Sequence, residues 1–379
     1  MNMYIIEKLL RTPKRGMVVL LFFSIGAQLA FAQPGNGDVF GKKYIKKLIP
    51  KVVDWQLNNP RHDPKDWTNG AFYAGVFAAW ETTKSKAIYQ ALLDTGNAQQ
   101  WQPHKRWYHA DDVAISQTYI DVYRKEKRPE MIQPTRDTLN LFVSRPYPDR
   151  SGVEVIKWWW CDALFMGPPA LVKLGMATKD RQYLDASDTY FRETYDLLYN
   201  RDERLFARDL NFVIKADGSG RKEANGQRIF WSRGNGWVMG GLVRILQELP
   251  MDYPERPFYE TLFKEMADRV ARLQPQDGLW RASLLDPEAY PGGEVSGSGF
   301  FCYALAWGIN NDLLDKQTYL PVVEKTWKAL TACISEEGRV GWVQPIGGSP
   351  QKNFGPDSWE VYGTGAFLLA ASEVIKLKR

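Results

Sequence analysis

The chain has 379 residues, 44% of them hydrophobic and 13% aromatic, which supports one large core, and its formal net charge is +5. Without Lys8, Arg11, Lys14, Arg15 and Glu7 near the start that charge falls to +2, and no basic block remains to follow a phosphate backbone, which excludes nucleic acid as a partner. Its three cysteines, Cys161, Cys302 and Cys333, all stand in apolar surroundings and are expected as buried thiols, with one disulfide as the alternative, which excludes a disulfide scaffold.

The first 32 residues read as a cleaved secretory signal. Lys8, Arg11, Lys14 and Arg15 give a basic beginning, Met17 to Ala27 an apolar run too short to span a bilayer, and Ala30-Phe31-Ala32 the small-residue cleavage site. The mature protein is expected to start at Gln33, without a lipid-bearing cysteine there, and to be periplasmic or secreted. No membrane contact is expected after cleavage.

Beyond the signal, six segments share one pattern, an aromatic or glycine-rich opening followed by a run that is apolar on nearly all faces. They are Trp67 to Trp80, Tyr108 to Tyr119, Trp158 to Gly175, Phe230 to Leu246, Ser296 to Trp307 and Trp359 to Ala371. Runs of this kind are buried helices, and starts roughly 40–70 residues apart mark a repeated unit. Amphipathic segments alternate with them: Tyr44 to Leu57, Ile88 to Leu93, Thr135 to Val143, Tyr183 to Leu198, Tyr259 to Leu273 and Tyr319 to Ile334. Six buried and six amphipathic helices predict an all-α (α/α)6 barrel over residues 33–379, with no second domain or linker. The competing architecture is an open solenoid of helical hairpins. Minor strands are expected at Asn211 to Lys215 and Gly278 to Arg281, and Pro168-Pro169 is expected to kink or restart its helix.

In such a barrel the openings of the buried helices meet at one mouth, so their polar residues are the candidates for chemistry. Asp162 lies in Trp158-Trp159-Trp160-Cys161-Asp162-Ala163-Leu164-Phe165, an aromatic run where burial would raise a carboxyl pKa toward that of a general acid. The same residue also reads as a helix cap. Of Asp111 and Asp112, helical spacing places Asp112 on the face of Ser116 and Tyr119, toward the cavity, and leaves Asp111 to cap. In Trp231-Ser232-Arg233-Gly234-Asn235-Gly236-Trp237 an arginine between two tryptophans can offer its planar fork to a carboxylate. Metal chemistry finds no support: His62, His104 and His109 form no ligand motif, and no metal or other cofactor is expected. There is no G-x-S-x-G elbow and no phosphate-binding loop of Walker type. Carboxylate acid–base work on an acidic oligosaccharide remains.

Together, His109-Ala110-Asp111-Asp112, Trp160-Cys161-Asp162-Ala163-Leu164-Phe165-Met166-Gly167, Trp231 to Trp237, Asp277-Gly278-Leu279-Trp280 and Ser296-Gly297-Ser298-Gly299 resemble the unsaturated rhamnogalacturonyl hydrolases of glycoside hydrolase family 105. These are related to the unsaturated glucuronyl hydrolases of family 88. The resemblance implies removal of a 4,5-unsaturated uronic acid from the non-reducing end of lyase-generated oligosaccharides, such as unsaturated rhamnogalacturonan disaccharides, by hydration of the vinyl ether double bond. It implies that Asp162 protonates C4 and activates water for C5, after which the hemiketal opens and releases the rest of the chain. It further implies that Asp112 holds substrate and water, and that His109, Trp160, Trp231, Arg233 and Trp237 line the uronate subsite. One departure stands out: Arg208 occupies a place where the family commonly carries histidine, which leaves ulvan or arabinogalactan fragments as further substrates. The other readings are a conventional two-carboxylate glycosidase or sugar epimerase on the same barrel, and a non-catalytic oligosaccharide-binding protein. Oligomeric state is not written in the sequence.

Overall fold

The computed structural model describes residues 38–147 and 152–378; the expected signal lies outside them. Among the described residues twelve α-helices run in chain order: α1 Lys42–Asn58, α2 Trp67–Thr83, α3 Lys86–Ala98, α4 Ser116–Glu126, α5 Gln133–Ser144, α6 Ala163–Thr178, α7 Arg181–Leu198, α8 Ser232–Leu246, α9 Arg256–Arg272, α10 Val295–Asn310, α11 Lys316–Ala332 and α12 Val361–Val374. The even-numbered helices form the inner ring; five of them are apolar on nearly all faces, whereas α4, which begins only at Ser116, is polar and buries its first two turns, Ser116 to Val122. In α6, α8, α10 and α12 nearly every residue is buried, as helices apolar all round require. The odd-numbered helices bury one face each, for example Tyr259, Leu262, Phe263, Met266 and Val270 of α9.

The ring closes, which decides between barrel and solenoid. Helix α12 packs directly on α2, and the two backbones meet through glycine: a Cβ on Gly75 would lie 2.6 Å from the Gly365 carbonyl oxygen, and one on Gly365 would lie 2.4 Å from that of Ala71. A side chain at either position would push the first and last inner helices apart. The inner helices run in parallel, so their N-termini gather at one end. At the other end a cavity of about 760 Å³ is lined by paired charges. There Lys173 Nζ lies 2.6 Å from Asp121 and 2.8 Å from Glu248.

Three local expectations are corrected. Pro168 and Pro169 lie inside a continuous α6 rather than restarting it. Pro169 cannot donate to the Phe165 carbonyl, and the Gln117 side chain of α4 does so instead at 2.7 Å, itself oriented by Arg244 Nε. The segment from Asn211 forms no strand. The regular pair is a hairpin of β1 Tyr199–Asn200 and β2 Leu205–Phe206, while residues 210–212 make a 3₁₀ turn. Near the second expected strand, Arg281 makes only an isolated bridge to Gly293. All three cysteines are buried and unpaired, as expected from their apolar surroundings.

Candidate active site

Asp162 stands at the N-cap position of α6, yet its carboxyl makes no capping hydrogen bond. Capping is therefore not its task. Burial raises its pKa, opposed by the positive fields of Arg208 and Arg233. Arg208 Nε lies 3.6 Å from Asp162 Oδ2, and the Arg208 Nη1 donates to Asp209 at 2.6 Å. The backbone puts this arginine there. Asn235 of α8 clamps the backbone of Phe206, accepting from its N–H at 2.8 Å and donating to its carbonyl at 3.1 Å. Two residues on, the Arg208 carbonyl accepts from the Cys161 N–H at 2.9 Å.

The two neighbouring aspartates exchange places relative to the sequence reading. Residues 110–113 form a 3₁₀ turn, and α4 begins only at Ser116, so α-helical spacing does not apply to them. Asp112 turns away from the mouth and is buried by Arg106, whose backbone N–H and Nε donate to it at 2.7 and 3.0 Å, with His104 Nδ1 at 3.1 Å. Those positive partners outweigh its burial and lower its pKa. Asp112 thus ties down the 104–106 loop. Asp111 is the neighbour that feels Asp162: burial, with the charge on Asp162 next in size, pushes Asp111 up to about 8. His109, not Asp111, caps the turn, its Nδ1 accepting from the Asp111 N–H at 3.3 Å. Burial and the nearby Arg106 lower the His109 pKa to about 4, so the ring is neutral at physiological pH.

The expected aromatic cradle is packed more tightly than the sequence suggests. Trp160 is only 3% exposed, with the His109 ring 4.7 Å away and Trp159 at 4.8 Å. Trp159 is the half-buried member of that pair, and it carries the Arg208 guanidinium 5.3 Å above its ring. Trp237 is completely buried between Phe165 and Phe300. Trp231 is buried too, its Nε1 donating to Gln344 at 3.2 Å.

Arg233 does not offer a free fork. It is fully buried, and its Nη1 donates to the Gln344 carbonyl and to Tyr362 Oη, its Nη2 to the Pro345 carbonyl at 2.9 Å. Tyr362 Oη also donates to the Gln344 carbonyl at 2.7 Å, and Glu294 accepts from the Gln344 N–H at 3.1 Å. Arg233 therefore anchors the 344–352 loop on the rim and lends only its field to Asp162. Arg233→Met is expected to cost roughly 1–3 kcal/mol, because it strands the Pro345 carbonyl while the Gln344 carbonyl keeps Tyr362 as a donor. Thermal unfolding and faster proteolysis within that loop check this.

Sequence reasoning missed Asp111, the Trp159 platform, and Tyr362, whose ring stacks on Trp67 at 5.3 Å. The signals were present, since Trp67 and Tyr362 both open apolar helices. No group of three potential metal ligands occurs among the described residues, and no helix among them is long and apolar enough to cross a membrane.

A closed ring of six helical hairpins, with a carboxyl pair in an aromatic mouth at the N-termini of the inner helices, defines a six-hairpin glycoside hydrolase. The chain belongs to glycosyl hydrolase family 88, whose family model matches residues 42–378. It is 50% identical over 344 residues to an unsaturated 3S-rhamnoglycuronyl hydrolase of Formosa agariphila, covering 88% of this chain and 91% of that one. A protein of the same name from Alteromonas is 36% identical over 330 residues, covering 82% and 78%. The solved structure of a glycosyl hydrolase family 88 protein from Bacteroides vulgatus superposes with a TM-score of 0.80 at 31% identity, covering 89% of this chain and 99% of that one.

Proposed function

We propose that this hydrolase removes a 4,5-unsaturated uronic acid from the non-reducing end of lyase-generated oligosaccharides by hydrating the C4=C5 double bond. The observation that carries it is Asp162, a buried carboxyl in an aromatic mouth with the Arg208 guanidinium 3.6 Å away, and with Asp111 pushed up to about 8 by burial and by the charge on Asp162. At that value a carboxyl proton is retained in the site at neutral pH. Vinyl ether hydration needs one proton delivered to C4 and then a base for the water that adds at C5. Asp162 performs both steps once that proton passes to it, giving it to C4 and regaining one from the water that adds at C5, while Asp111 orients substrate. The resulting hemiketal opens, and the aglycone leaves without attack at the anomeric carbon. The names of the two relatives favour a 3S-rhamnose neighbour over the rhamnogalacturonan type.

The test is the ultraviolet absorbance of the conjugated double bond, followed with purified protein and lyase-generated disaccharides. A falling signal with release of the neighbouring sugar is expected. A flat trace on every unsaturated substrate, with activity on saturated glycans, would move the protein to conventional two-carboxylate hydrolysis. The basic and apolar start of the chain supports export, with residues 33–379 as one catalytic domain, in the periplasm or the medium. Mass spectrometry of the exported protein is expected to find Gln33 at its N-terminus.

A further inference from the structure

We infer that Arg208 is the residue that receives the carboxylate of the unsaturated uronate and so makes the enzyme select acidic over neutral sugars. The inference rests on the proposed hydration. In that reaction Asp162 acts on C4, and the substrate carboxylate is attached to the adjacent C5. The anion must therefore settle within a few ångströms of the Asp162 carboxyl, and the cation that receives it must already touch that carboxyl. Among the described residues the cation in contact with Asp162 is Arg208, at 3.6 Å.

Its surroundings suit a ligand rather than a closed ion pair. Arg208 Nε is buried without a hydrogen-bond acceptor in proper geometry, and the side chain retains 22% of its exposure. Nη1 is committed to Asp209, which fixes the plane of the guanidinium. One face of that plane lies over Trp159, the half-buried ring on which a sugar can stack. Beside it the rim loop passes as Gly348: a Cβ there would stand 3.4 Å from Arg208 Cζ and narrow the approach. Arg233, the other cation whose field reaches Asp162, also has an unpaired Nε but is excluded as the receiver because it is fully buried and both terminal nitrogens are used by the rim loop and Tyr362. An anion placed on Arg208 also loosens its hold on Asp162, which favours the protonated form of that carboxyl when substrate is bound.

The experiment compares the unsaturated uronyl disaccharide with its methyl ester, which keeps the double bond and removes the charge. Wild type is expected to prefer the acid. In Arg208→Gln, kcat/KM for the acid should fall roughly 10- to 100-fold more than kcat/KM for the ester, the range for one charge-assisted contact and mostly through KM, any loss common to both reporting the change at Asp162. Arg208→Lys should restore part of the preference. Calorimetry with the saturated uronyl disaccharide, which lacks the reacting bond, should show the same dependence of binding on Arg208. Equal losses for acid and ester would reduce Arg208 to positioning Asp162 and overturn the inference, as would unchanged preference for the acid. Wild type that turns over neither unsaturated substrate would instead overturn the proposed function, with the calorimetric arm still deciding the role of Arg208.

Discussion

Asp162→Asn is expected to reduce turnover of unsaturated disaccharides by about 10²–10⁴-fold, the span associated with loss of a positioned general acid–base. The amide matches the carboxylate in shape but neither holds the proton for C4 nor takes one from the attacking water. The fold should survive unchanged. Asp162 makes no capping bond whose loss would fray α6, and Arg208 keeps Asp209 as a partner. Because burial raises the Asp162 pKa, the native state gives up some stability to hold a carboxylate there, and the neutral amide removes that cost. Thermal unfolding should therefore show a variant at least as stable as wild type. Catalytic sites commonly trade stability for function in this way. Activity within tenfold of wild type in a folded Asp162→Asn protein would assign the proton to another group, with Asp111 first in line.

The architecture was legible because burial imposes its own pattern. A helix enclosed on every side must be apolar on every side, and the openings at Trp67, Trp158, Phe230, Ser296 and Trp359 announce five such helices without reference to their neighbours. The site was legible as a set of loops and less so as a set of contacts. Helical spacing chose Asp112 over Asp111 because it assumed an α-helix, and a 3₁₀ turn turns the pair by a different angle per residue. The motif around Arg233 reveals a buried planar cation. It cannot reveal that the acceptors are carbonyls in a loop 111 residues downstream. The same holds for Pro168-Pro169, where the bond that keeps α6 continuous comes from Gln117 on another helix. Long-range hydrogen bonds of this kind carry no local signature.

Asp111→Asn is expected to lower turnover by about 10²-fold or more and at the same time to stabilise the protein in a pH-dependent way. Asp111 is pushed from an ordinary 3.8 up to about 8 in the folded chain, by burial first and by the charge on Asp162 second. Below the lower value the carboxyl is protonated in both the folded and unfolded states, and the group has no effect on stability. As pH rises from there to about 8 the unfolded chain releases a proton that the folded chain retains, so the native state progressively loses stability. Asparagine has no proton to release. The melting temperatures of variant and wild type should thus agree in acid and diverge toward pH 8, with Asn higher by a few degrees, at roughly 2–4 °C per kcal/mol. Wild-type activity should decline on the alkaline side as pH passes about 8, because the pair then loses the proton that the hydration step consumes first. A constant offset between the two melting curves, or an Asn variant less stable at pH 8, would show that Asp111 is ionised in the folded protein. The proton would then reside on Asp162 alone, and the alkaline limb of the activity profile would report that carboxyl.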